Sequence, residues 1–133
     1  LTSDFIAGDM KAPTWVYMFN WRSPLNHGSA HGSELKFCFN TLNLSKRELP
    51  EPSAEDQKLA DIMSACWAQF AHTGDPNLDG LPEWQPYSAE NGELMVFDYD
   101  CYVRNNPDRE LQGIQNDCCF KQLDAFNAAH PRK

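Results

Sequence analysis

The chain has 133 residues, 41% of them hydrophobic, and a formal net charge of −8. A charge of that sign repels phosphate backbones and anionic lipid, and no Lys or Arg cluster offsets it, so a nucleic-acid partner is disfavoured. No apolar run approaches the roughly 20 residues that cross a bilayer, which disfavours a membrane protein. Four Trp and eight Phe are many for this length, and so much apolar surface suggests a core shared with sequence outside the chain.

The first predicted element is a strand over residues 14–21, which are almost continuously apolar and rich in aromatic and β-branched types. Such a run is typical of a strand buried on both faces of a parallel sheet. Residues 23–32 form a loop because they hold Gly, Pro and small polar side chains. His31 stands at the far end of this loop. Residues 35–39 fit a helical turn or an extended piece equally well, and residues 40–52 form an irregular connection.

The clearest helix is predicted over residues 54–72, where apolar residues recur with helical spacing on one face. Ser53 is its expected N-cap, and Glu55 and Asp56 place negative charge in the first turn. Gly74 ends it. The members of the apolar face are Leu59, Ile62, Met63, Cys66, Trp67, Phe70 and Ala71.

The last third of the chain begins with a turn-rich connection over residues 75–93. Residues 94–97 predict a short strand. A final helix is predicted over residues 107–128, with Asn106 as its cap.

The five cysteines show neither a CxxC pair nor the spacing of metal ligands, so free thiols are expected. Cys66 falls on the apolar face of the predicted helix, where cysteine acts as a small hydrophobe. The adjacent Cys118 and Cys119 leave room for one bridge to sequence outside the chain, so the cellular compartment stays open.

Four stretches occur in the order of a known family: WVYMFNWRSP, AHGSELKFCFN, LADIMSACWAQFAHTGDPN and LPEWQPYSAENGELMVFD. They resemble the C-terminal quarter or so of the type B carboxylesterases, which include bacterial para-nitrobenzyl esterases and animal cholinesterases. The resemblance implies an α/β protein, the C-terminal portion of an α/β-hydrolase fold. Its parts are one buried strand, a catalytic-histidine loop, an amphipathic helix, a short strand and a C-terminal helix. The resemblance also implies activity on carboxylic esters and no cofactor.

The family's catalytic histidine falls on His31, in the run HGSE. Imidazole suits the role because its ordinary pKa near 6.5 lets it both accept and return a proton. The family's serine elbow, oxyanion loop and triad acid come earlier in the chain order, and no GxSxG occurs within the 133 residues. Leu25 and His27 share the loop and are expected to line the substrate pocket. Glu34 is expected to cap the following turn through hydrogen bonds to backbone N–H groups.

Several of these residues also fit other structural explanations. His27, His31 and Glu34 have the spacing of metal ligands on a helix, but Gly28 and Gly32 argue against a helix there, so no metal site is expected. The two pocket residues are explained equally well as solvated loop positions. Four aromatic residues are most simply part of the core: Phe37, Phe39, Trp67 and Phe70.

The sequence thus predicts that residues 1–133 are the C-terminal segment of a serine carboxylesterase domain, inactive and not independent by itself. Its partners would be a small-molecule carboxylic ester and the N-terminal portion of the same hydrolase. A strand with both edges uncovered also predicts a homodimer or swapped assembly. Two alternatives remain, a catalytically silent adhesion or binding protein on the same fold and a small interaction domain with an aromatic surface.

Overall fold

The computed structural model describes residues 12–23, 25, 28–44, 46, 49–88, 90–105 and 121. In chain order they form β1 (Tyr17–Phe19), α1 (Leu35–Cys38), a 3₁₀ turn (Leu42–Leu44), α2 (Ala54–Thr73), β2 (Glu93–Phe97) and β3 (Tyr102–Asn105). None of these helices combines the length and apolar character that crossing a bilayer requires. The expected helix over 107–128, its cap Asn106 and the pair Cys118 and Cys119 lie outside the described residues, apart from Lys121.

Helix α2 begins and ends as the sequence predicts. The Ser53 hydroxyl accepts a hydrogen bond from the Asp56 N–H at 3.0 Å, and the Asp56 carboxylate accepts one from the Ser53 N–H at 2.8 Å. This reciprocal pair is a capping box. Gly74 ends the helix at a φ of 80°, in the left-handed region that favours glycine, and its N–H donates to the Phe70 carbonyl at 2.7 Å.

Strand β2 is the central strand of the sheet formed by the described residues, in the order β1-β2-β3. Strand β1 runs parallel to it, with Phe19 opposite Phe97. Strand β3 runs antiparallel to it, with Val103 opposite Met95. All the side chains of residues 94–97 are buried, and the short strand predicted there is confirmed.

Strand β1 is shorter and more exposed than the strand predicted over 14–21. Only Tyr17–Phe19 have strand geometry, although hydrogen bonds continue the ladder to β2 beyond both ends. Tyr17 is 37% exposed. In the 133-residue chain these three residues are exposed or partly buried, whereas the apolar run predicts burial on both faces once further elements cover the sheet. The expectation of two uncovered edges is wrong, because β2 pairs with one of them.

The aromatic core is only partly the one expected. Phe37 is fully buried and Trp67 half-buried, whereas Phe39 is 73% and Phe70 47% exposed. Phe39 stands at the C-cap of α1, outside the helical turn that carries Phe37. Phe70 lies one turn past Cys66, the last buried residue of α2. Helical spacing alone therefore overstates how far along α2 the core extends.

One buried carboxylate joins α2 to two other parts of the fold. Asp56 is 4% exposed. Its Oδ1 accepts hydrogen bonds from Trp21 Nε1 at 2.6 Å and from the Tyr99 hydroxyl at 3.0 Å. Its Oδ2 accepts the N–H and the hydroxyl of Ser53, both at 2.8 Å. Burial raises the pKa of Asp56, but these hydrogen bonds outweigh burial and hold the pKa below its ordinary value.

Replacing Asp56 by Asn should lower the free energy of unfolding by about 1–3 kcal/mol at neutral pH, measured by urea denaturation. The reason is geometric. Trp21 Nε1 and the Ser53 N–H can only donate, and they point at different oxygens of Asp56. An amide has one oxygen, so one of these donors must face its NH₂ group.

The same variant tests the pH dependence. Because folding lowers the pKa of Asp56, its contribution is fully present above the ordinary pKa of about 4 and is lost as pH falls through the lowered value. Asp56→Asn should lose less stability on acidification than the wild type. The matched control is Asp61→Asn, an exposed carboxylate on the same helix, which should change stability by less than about 0.5 kcal/mol. Equal stability of the two variants would contradict this assignment.

Candidate active site

The carboxyl ends of β1 and β2 meet at one edge of the sheet, because the two strands are parallel. Just beyond that edge the Asn20 N–H donates to the Phe97 carbonyl at 2.9 Å. The Asn20 side-chain amide donates to Asp98 Oδ2 at 2.7 Å. In open α/β sheets, ligands bind outside the carboxyl ends of the strands. The loop that carries His31 leaves the sheet from this edge.

Trp21 anchors the start of that loop. Its indole is fully buried, and its ring centroid lies 5.0 Å from that of Phe37. The Lys36 ammonium lies 5.4 Å from the indole centroid, within cation–π range. The hydroxyl of Ser29 donates to the Trp21 carbonyl. This hydrogen bond brings the loop back to its own origin after eight residues.

A tight turn presents His31. The Ser33 N–H donates to the Ala30 carbonyl at 3.1 Å, which places His31 and Gly32 at the two central positions of a β-turn. Gly32 has a φ of +76°. A type II turn requires such a positive φ at its third residue, and glycine adopts it without steric cost. The next turn leads into α1 through a bond from the Leu35 N–H to the Gly32 carbonyl at 3.2 Å. His31 itself is exposed to solvent.

The other predicted site residues are Leu25, His27 and Glu34, and the structure does not group them around His31 in one described pocket. Leu25 is 53% exposed on the same loop, and His27 lies outside the described residues. Glu34 occupies the N-cap position of α1, but its side chain makes no capping hydrogen bond. Its backbone carbonyl instead accepts the N–H groups of Phe37 and Cys38, both at 2.9 Å. The expected side-chain cap is therefore wrong, and the helical turn itself supplies the contact.

The described cysteines are poorly suited to serve as nucleophiles in place of a serine. Burial is the main cause that raises the pKa of Cys38 to about 11 and that of Cys66 to about 12. Burial also raises the pKa of Cys101. Since the thiolate is the reactive form, these groups remain protonated and inert at neutral pH. Within the described ranges, no three His, Cys, Asp or Glu side chains are placed to hold a metal ion.

A groove of about 170 Å³ opens between β1 and α2. None of the described loop residues around His31 lines it. Its walls are apolar and mainly aromatic, formed by Trp15, Tyr17, Cys66, Trp67, Phe70, Pro76 and Trp84.

The supports of the loop, Trp21, Ser29 and Asp56, are the residues that sequence reasoning missed. The sequence assigned Trp21 to a strand and Asp56 only to a favourable interaction with the helix dipole. One local signal was present, because Ser53 and Asp56 have the S-x-x-D spacing of a capping box. Nothing local indicates that the same carboxylate also accepts a hydrogen bond from Trp21.

Comparison with known proteins supplies the family. Rat carboxylesterase 1C is 33% identical over 95 residues, 66% of this chain and 17% of that protein. Rabbit liver carboxylesterase 1 is 29% identical over 133 residues, 94% of this chain and 22% of that protein. The chain thus spans about a fifth of the length of these relatives.

Solved structures agree with this comparison. A thermophilic PNB esterase superposes with a TM-score of 0.71 at 30% identity, over 77% of this chain and 22% of the other. An esterase from Clostridium hathewayi, described as able to hydrolyse aliphatic aromatic polyesters, gives 0.68 at 30% identity over 74% and 20%. The fold is accordingly a C-terminal portion of the α/β-hydrolase fold. The model of the carboxylesterase family matches residues 2–113, most of the sequence, and the chain belongs to that family.

Proposed function

We propose that this chain supplies the histidine of a serine carboxylic-ester hydrolase, with His31 as general base and then general acid. One observation carries the proposal: a member of an esterase family holds an exposed imidazole on a tight turn, on a loop from the carboxyl edge of its sheet. Leu25 and His27, on the same loop, would border the ester pocket. No cofactor takes part in this chemistry.

The reaction follows from what imidazole can do. His31 removes the proton of a serine hydroxyl as the oxygen attacks the ester carbonyl, and it returns that proton to the departing alkoxide. It then deprotonates the water that cleaves the acyl-serine, and the same proton restores the serine. Because the 133 residues contain no GxSxG, the proposal places the serine, the triad acid and the oxyanion donors in another part of the complete hydrolase.

In the complete protein, His31→Ala should lower kcat for para-nitrophenyl acetate by at least about 10³-fold, because no other group would shuttle the serine proton. The matched control is His72→Ala, an exposed histidine in the last turn of α2. It should keep kcat within about twofold. Full activity after His31→Ala would refute the role. A wild-type protein without ester turnover would favour a catalytically silent relative.

The 133-residue chain by itself should hydrolyse para-nitrophenyl acetate no faster than an equal concentration of free imidazole. It would lack the nucleophile. It would also lack the oxyanion donors, and one such donor is worth about 3–4 kcal/mol of transition-state stabilisation. Stopped-flow absorbance should show no burst of nitrophenol. A nitrophenol burst equal in amount to the purified chain would show that the chain contains its own nucleophile and would contradict the proposal.

Gly32→Ala should lower kcat about 10-fold with little change in KM, because a Cβ at a φ of +76° strains the turn that presents His31. The added atom itself has room, since its nearest contact would be Leu35 Cδ1 at 3.6 Å. Gly28→Ala is the control, because nothing lies within 4 Å of its Cβ position. Equal kcat values for the two alanine variants would show that the turn geometry does not matter.

A further inference from the structure

We infer that Asp56 is a positioning residue for His31, acting through Trp21 and Ser29. The inference rests on the proposed function and adds to it a second structural element, the first turn of α2. Three successive contacts carry it, from Asp56 to the Trp21 indole, from the Trp21 carbonyl to Ser29, and along the chain from Ser29 to the His31 turn.

The first contact fixes the indole. Trp21 Nε1 donates to Asp56 Oδ1 at 2.6 Å, inside the core and with a charged acceptor. Two neighbours pack against the indole. The Phe37 ring centroid lies 5.0 Å from the indole centroid, and the Lys36 ammonium lies 5.4 Å from it. A rigid, fully buried indole held in this way leaves its backbone little freedom.

The second contact transfers that position to the loop. Ser29 donates its hydroxyl to the Trp21 carbonyl, and it stands two residues before His31. The next carbonyl, that of Ala30, accepts the bond that closes the His31 turn. The turn therefore begins one residue after a point tied to Trp21. Asp56 sits in the first turn of a 20-residue helix, which provides a rigid frame for the whole series.

Asp56 does not act by touching the imidazole. Its two oxygens already accept four hydrogen bonds, two each, and a carboxylate has about four acceptor sites. No acceptor site remains for a histidine N–H. The carboxylate therefore positions His31 through the protein, and the acid that would orient the imidazole directly is a different residue.

The test is kcat per active site in the complete protein, with active sites counted from the nitrophenol burst of para-nitrophenyl acetate. Asp56→Asn and Ser29→Ala should lower kcat per active site, by about 10- to 100-fold and about 3- to 30-fold respectively, with KM within about threefold. The controls are Asp61→Asn on the same helix and Ser64→Ala, whose hydroxyl donates to the Asp61 carbonyl at 3.1 Å. Both should keep the wild-type kcat.

The double variant gives an independent readout. If Asp56 and Ser29 act along one path, Asp56→Asn combined with Ser29→Ala should lose about as much kcat as Asp56→Asn alone. Multiplicative losses would overturn a shared path. A merely structural role for Asp56 would lower the number of burst-active sites or the thermal midpoint while kcat per site stayed equal to that of Asp61→Asn, and this result would also overturn the inference.

The variants also distinguish a failure of this inference from a failure of the proposed function. Should Asp56→Asn fail to fold, Ser29→Ala decides, since Ser29 is exposed and an unchanged kcat there would refute the path. Full activity of His31→Ala would refute the proposed function. An inactive His31→Ala together with a fully active Asp56→Asn would refute the positioning role alone.

Discussion

A buried hydrogen bond from the Trp21 indole to the Asp56 carboxylate connects the sheet, the aromatic core and α2. It spans 2.6 Å between residues 35 apart in the chain, and it joins the segment just after β1 to the first turn of α2. Burying a carboxylate is costly unless donors compensate it, and an indole N–H buried without a partner is costly too. Each group thus requires the other, so the helix cap, the aromatic core and the start of the loop form one unit.

The loop that carries His31 has hydrogen-bonded supports at its base and an exposed histidine near its end. The carboxyl edge of the sheet is closed by the Asn20–Asp98 hydrogen bond at 2.7 Å, and the loop base is closed by Ser29. His31 follows these contacts in the chain and is exposed, on a turn whose positive φ is adopted by Gly32. Under the proposed function, exposure lets His31 reach a substrate, and the buried contacts hold the loop that carries it. Membership of the carboxylesterase family is the reason why proton transfer in ester hydrolysis is the role proposed for His31.

Sequence reasoning succeeds here where one signal is periodic and local. Helix α2 follows from helical spacing between Ser53 and Gly74, and β2 follows from an apolar run between turns. Strand β3 was not predicted, because its four residues are mostly exposed and are held by pairing with β2. Phe39 was assigned to the core although it is exposed, since hydrophobicity does not reveal which side of a helix end meets a neighbour.

Local sequence is enough to predict the limits of α2, the loop that carries His31, and the family motif HGSE around that histidine. Each depends on residues within a few positions of one another. The burial of Trp21, its hydrogen bond to Asp56 and the hydrogen bond between Asn20 and Asp98 depend on tertiary packing. Those partners lie 35 and 78 residues apart, so the packing of distant segments brings them together. Local spacing carries no information about such contacts.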